Sequence, residues 1–198
     1  MTAPEIEIHP FGNFIPAKAT HLVLGSFPTH KRHWQFKTFY PGRANFFWRM
    51  LAEIYSVKFQ HTKGEEAAHE RLQLCADKRI ALSDTIYSCS RKVAGSSKDS
   101  DLVVVEKMNV LKLLRENPSI QTVILTGSSG KVNAHTVFAE HLSQNNIVLK
   151  VLQSKPPIEG SFIVDGRVIT THTLYSTSGL NIGRYKQALE QYRSHLPK

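Results

Sequence analysis

Apolar positions recur along this chain in two rhythms. Four short runs are almost continuously apolar, HLVLGS (21–26), RIALSD (79–84), QTVILTG (121–127) and NIVLKVL (146–152), and each is followed by turn chemistry or a helix-type pattern. Such runs suit strands buried on both faces of a parallel sheet. Between them the period lengthens. Phe47, Met50, Leu51, Ile54 and Tyr55 follow the i, i+3, i+4, i+7, i+8 stripe of an amphipathic helix, and residues 64–76 and 107–116 are charged helix formers with spaced apolar positions. SSGKVNAHTVFAEHL continues the alternation after the third strand, and GRYKQALEQYRSHL closes the chain as a last helix. One segment, SFIVDGRVITTHTL, departs from the alternation: two β-rich runs flank Asp165-Gly166, a strong hairpin signal. Pro156-Pro157 and AGSSKDSD (94–101) read as exposed loops.

Strand-helix alternation with right-handed crossovers predicts an α/β fold, a three-layer α/β/α sandwich around a central four-stranded, mostly parallel sheet. In an open sheet of that kind ligands bind outside the carboxyl ends of the strands. The loops that matter are therefore GSFPT, SDTIYSCSRK, TGSSGK and whatever follows the strand near 167–173.

Composition narrows the class. With 198 residues, 41% hydrophobic and 21% charged, the chain reads as one domain, 1–198, and no apolar run approaches the roughly 20 residues of a membrane span. The start, MTAPEIEIHP, carries acids and no apolar core of a secretory signal, so a cytoplasmic protein with no membrane partner is expected. Cys75 and Cys89 then read as reduced, buried thiols, and two thiolates are too few for an iron–sulfur cluster. The 25 Lys+Arg against 16 Asp+Glu give a net charge of +9 and a pI near 9.6, which favours polyanionic partners.

Several familiar sites are excluded by spacing. TGSSGK has only Ser128 and Ser129 between the glycine and the Gly-Lys pair, too few for a phosphate-binding P-loop, and a helix cap is the better role for either serine. His30 and His33 lack a third ligand of known position. There is no G-x-S-x-G elbow and no G-x-G-x-x-G after a strand. No metal and no cofactor is expected.

Five segments taken in order resemble the uracil-DNA glycosylase superfamily, most closely its mismatch-specific uracil and hypoxanthine-DNA glycosylase branches. VLGSFPT (23–29) is similar to the first motif, a strand ending in a glycine-rich turn with a proline, and YPGRANFFW (40–48) to the aromatic-x-x-x-x-Asn-x-Phe-Trp segment. RIALSDTIYSCSRKVAGSSKDSDL (79–102) resembles the second strand and its polar loop. VILTGSSGKVNAHTVF resembles the third strand and helix, and LYSTSGLNIGRYKQALEQYR (174–193) the final motif. Together they span about residues 20–195.

The resemblance implies an enzyme that flips a deaminated base, uracil or hypoxanthine, out of DNA and hydrolyses its N-glycosidic bond, leaving an abasic site. It casts Tyr40 as the aromatic face under the base and Asn45 as the catalytic residue, an amide able to hold either water or a base edge. Asn45 also has the chemistry of a helix N-cap. Gly25, Ser26, Phe27, Asp84 and Ser88 fall at base-binding positions; Ser176, Thr177, Ser178, Gly179, Leu180 and Arg184 fall in the loop that grips phosphate and inserts a wedge. Arg91, Lys92 and Lys186 would add phosphate contacts.

Two positions depart from the family. Phe27 stands where most members carry an Asp or Asn that orients the attacking water, and Leu174-Tyr175-Ser176 replaces a His-Pro-Ser run. A phenyl group cannot hydrogen-bond to water, which shifts the catalytic role onto Asn45. The implied partner is DNA, double-stranded with a damaged base or single-stranded, bound by a monomer. A second reading keeps the fold as a nucleic-acid-binding module without the reaction, and a third is a small-molecule hydrolase or transferase on a similar scaffold.

Overall fold

The structure, a computed structural model, describes residues 5–198; Met1 to Pro4, where the domain 1–198 and the MTAPEIEIHP segment begin, lie outside the described residues. The elements run β1 (Ile6–Ile8), β2 (His21–Gly25), α1 (Phe47–Ile54), α2 (Gly64–Asp77), β3 (Ile80–Asp84), β4 (Ile86–Arg91) and β5 (Leu102–Lys107). They continue with α3 (Val110–Glu116), β6 (Thr122–Thr126), α4 (Ala134–Gln144), β7 (Lys150–Gln153), β8 (Ile158–Val164), β9 (Arg167–Leu174) and α5 (Tyr185–His195).

The central sheet has the order β3-β2-β6-β9-β8-β7, six strands rather than four. Its first four are mutually parallel, with Leu22 opposite Ala81 and Val123, and Ile124 opposite His172. β8 and β7 add an antiparallel edge. The fourth parallel position belongs to β9, not to the 146–152 run. That run is apolar because Ile147 and Leu149 anchor the approach to the strand against the core, while Val151 and Leu152 lie exposed on the outer edge. The hairpin at Asp165-Gly166 joins β8 to β9, and both turn residues have positive φ (47° and 77°), as a two-residue mirror-image turn requires.

Both faces of the sheet are covered. On one, Phe47, Met50, Leu51, Leu74, Leu189 and Tyr192 from α1, α2 and α5 pack on Val23, Leu82 and Ile124. On the other, Leu111, Leu114, Phe138 and Leu142 from α3 and α4 pack on Leu22, Leu24 and Leu125. Each such fully buried side chain contributes roughly 1.5–3 kcal/mol, so the three layers hold together through many moderate contacts. A second, antiparallel sheet, β1-β4-β5, lies outside what the apolar pattern predicts, because β4 is interrupted by Ser88 and Ser90 and β5 exposes Val103 and Val105. Cys75 and Cys89 are both free and buried. Among the described residues no helix is long and apolar enough to cross a membrane.

Candidate functional site

The carboxyl ends of β2, β3, β6 and β9 point the same way, and the loops leaving them meet α1 and the segment before it. Gly25 ends β2 beside Asp84 at the end of β3. A Cβ on Gly25 would stand 2.2 Å from Asp84 Oδ1 and 3.4 Å from the Tyr40 hydroxyl, so only glycine lets this floor close. Asp84 is buried, and its Oδ2 takes a 2.8 Å hydrogen bond from His9 Nε2. The His9 Nδ1 accepts the Phe11 N–H at 3.3 Å, which leaves Nε2–H to donate to the carboxylate. Phe11, Phe27 and Phe39 wall the imidazole in.

Tyr40 joins this floor from the side. It holds φ at 52°, uncommon for a non-glycine residue, and its ring lies on Phe47 with centroids 4.0 Å apart. Its hydroxyl is buried near the Asp84 carboxyl and Thr126 but makes no hydrogen bond. Burial, and then the Asp84 charge, hold its pKa well above the ordinary phenol value.

The rim is more open. Ser26 Oγ donates to Asp99 Oδ2 at 2.8 Å, drawing the β4–β5 loop over the end of β2. Asp99 as a residue is exposed, yet protein crowding its carboxyl pushes its pKa up to about 6, helped by Asp84 and opposed by Ser26 and Arg91. Solvent on its open side moderates that push. Phe27, by contrast, is turned inward onto Ile86, Cys89, Leu102 and Val137. Arg91 is also taken up: its guanidinium, 4% exposed, pairs with Glu7 through Nε at 2.7 Å and Nη2 at 3.2 Å and bonds the Pro28 carbonyl. It is therefore not free for phosphate.

Asn45 sits just before α1, and its Oδ1 accepts the Phe47 N–H at 2.9 Å, so it serves the helix end. Among the described residues its Nδ2 has no hydrogen-bond partner. The loop Ser176–Asn181 is brought against this segment: the Phe46 N–H donates to the Thr177 carbonyl at 3.0 Å, and Gly179 lies so close to Ala44 that a Cβ would meet Ala44 O at 2.7 Å. Thr177 is buried by this contact. Leu180, directly after Gly179, is 88% exposed at the start of the 3-10 turn Gly179–Arg184. Arg184 is exposed, with its guanidinium over the Tyr175 ring. Tyr40, Arg43, Asn45, Trp48 and Arg49 line one cleft of about 350 Å³. A larger cleft, about 520 Å³ and bounded by Phe11, Phe14, Trp34 and Phe39, has Lys37 as its one charged group.

Gly25, Ser26, Tyr40 and Asp84 thus meet at the strand ends, and Asn45 meets Ser176–Leu180 beside them. Ser88 lies apart, buried on β4 opposite Ile8 and Glu106. Ser128 and Ser129 do not cap α4; the helix starts later, and Asn133 Oδ1 caps it by accepting the Thr136 N–H at 2.9 Å. His33 Nε2 accepts from Arg32 Nε, leaving no pair with His30 for a metal. The sequence reading missed His9 and Asp99. His9 belongs to a strand-poor N-terminal stretch with no motif; Asp99 lies in AGSSKDSD, which reads as an exposed loop, although it falls within the segment that resembles the family's polar loop.

No family model matches the chain, and no curated protein matches it. Among solved structures, the solution structure of a protein from Methanosarcina acetivorans described as a "putative Uracil DNA glycosylase" superposes with a TM-score of 0.65 over 96% of both chains, at 19% identity. The fold is uracil-DNA glycosylase-like. At that identity the likeness concerns fold, and the four parallel strand ends where such a fold gathers its loops are the ones that carry Gly25, Asp84, Thr126 and Leu174 here.

Proposed function

We propose that the protein is a DNA glycosylase that flips a deaminated base, uracil or hypoxanthine, and hydrolyses its N-glycosidic bond. The observation that carries this reading is the docking of the Ser176–Asn181 loop onto the Tyr40–Asn45 segment, through Phe46–Thr177 and Gly179–Ala44. It sets an exposed apolar tip, Leu180, next to an aromatic and a free amide nitrogen. A base flipper needs those parts together: a wedge to hold the vacated stack open and a pocket with a face and a polar reader.

In this reading Tyr40 and Asn45 hold the base in the cleft that both line, with Gly25 and Ser26 supplying backbone dipoles. Asp84 shapes the floor. Ser176, Ser178, Gly179 and Arg184, with Arg43, Arg49 and Lys186, face the phosphates, the buried Thr177 anchors their loop, and the +9 net charge draws the DNA in. Asp99 takes the part that Phe27 cannot. Held by Ser26 at the rim, its carboxylate removes a proton as water attacks C1′, while the C1′–N bond breaks and its electron pair leaves with the base. Asn45 and the backbone donors stabilise that departing charge.

The test is a panel of oligonucleotides bearing uracil, hypoxanthine or xanthine, incubated with enzyme in excess and then treated with alkali. Strand scission at one of these bases is expected. Intact strands together with tight, salt-sensitive binding would instead favour a nucleic-acid-binding module, which the inward-facing Phe27 would suit.

A further inference from the structure

A second cluster of chemistry-bearing side chains lies away from the crevice, where α5 crosses the antiparallel half of the sheet. Glu159 on β8 and His172 on β9 are cross-strand partners, and His195 comes down on them from the last turn of α5. One donor atom from each lies within 4.8 Å of the other two. The imidazoles are in contact, with centroids 4.2 Å apart and planes at 49°, yet no hydrogen bond joins them. His195 Nε2 stands 4.0 Å from Glu159 Oε1, too far for a hydrogen bond.

Two details distinguish this cluster from an ordinary polar contact. His172 Nδ1 is buried with no partner, and an orphaned nitrogen in the interior is costly unless something binds it. His195 Nδ1 is already committed, at 2.7 Å from the Gln191 carbonyl, so its proton lies there and the Nε2 lone pair faces the cluster. A backbone carbonyl holding the far nitrogen is how metal-binding imidazoles are usually oriented.

We infer that Glu159, His172 and His195 form a binding site for one divalent transition-metal ion of the zinc class. Two imidazoles and a carboxylate are a common ligand set for zinc, with a fourth position left to water. Bonds of about 2.0–2.2 Å place neighbouring donors roughly 3.3–3.6 Å apart, so small side-chain rotations close these three on an ion. The entry path runs past Glu159, whose side chain is 42% exposed, while that of His195 is 16% exposed. The ion ties α5, which follows directly from the Ser176–Arg184 loop, to the β8–β9 hairpin. The site is independent of the glycosylase reading.

Cobalt(II) makes the test direct. Chelator-stripped protein titrated with Co²⁺ should develop visible absorption of a low-coordinate nitrogen–oxygen site that saturates at one equivalent, and Zn²⁺ should displace it and raise the melting temperature. Glu159→Gln, at a position exposed enough to leave folding intact, and His172→Ala should each weaken binding on the order of 100-fold. No stoichiometric binding by the wild type would overturn the assignment. So would unchanged binding in both variants, since the ion would then be held by other histidines.

Discussion

Asp84 and Asp99 lie at the same end of the sheet, yet their surroundings give them different work. Asp84 is on the floor, buried, held by His9 and pressed against Gly25. Asp99 is on the rim, held by one hydroxyl, and faces solvent on its other side. In the proposed reading the buried carboxylate fixes architecture, and the one on the open rim is the one available to act on water. The same contrast separates Phe27, absorbed into packing, from Tyr40, which reaches both floor and cleft.

The largest expected effect falls on the rim. Asp99→Asn should slow base excision by about 100-fold or more while leaving the denaturation midpoint where it was. Because the pKa of Asp99 is pushed up to about 6, the working carboxylate form is lost on acidification. Excision by the wild type should therefore fall below about pH 6, and the variant should lack that limb. A single-turnover pH series reads both outcomes, and an unchanged rate in the variant would return the catalytic role to Asn45 alone.

On the floor the effect should be on folding. His9→Ala leaves the buried Asp84 carboxylate unpartnered and should cost about 3 kcal/mol, visible as a lower urea midpoint. Were stability unchanged, Asp84 would have to be reached by water, and the division between floor and rim would fail. Leu180→Ala is expected to weaken excision of a paired base by roughly tenfold and to matter less on single strands, where no stack must be held open. The smallest effect belongs to Tyr40→Phe. Its hydroxyl has no partner, so removing it should change stability by less than about 1 kcal/mol and leave the stacking face in place.

Much of this arrangement was legible from residue order. The strands at 21–26, 79–84 and 121–127, all five helices and the Asp165-Gly166 hairpin follow from periodicity and turn chemistry, which act locally. What escaped was decided by pairing at a distance. NIVLKVL reads like a central strand, and nothing within it reveals that β9 takes that place and leaves Val151 and Leu152 at an edge. The β1-β4-β5 sheet draws β1 from far along the chain. The site divides similarly: Tyr40, Asn45 and Leu180 carry recognisable neighbours, whereas His9 and Asp99 have meaning only once Asp84 and Ser26 lie beside them.

The claim that this crevice excises a deaminated base is tested most directly by one experiment. Duplex oligonucleotide carrying a single hypoxanthine, or a single uracil, is incubated under single-turnover conditions with wild-type protein and with Asn45→Ala, and free base is quantified. Release of one base per strand by the wild type, and its loss in a variant with an unaltered circular dichroism melt, is the predicted result. Intact base on both substrates with the wild type in excess would contradict it.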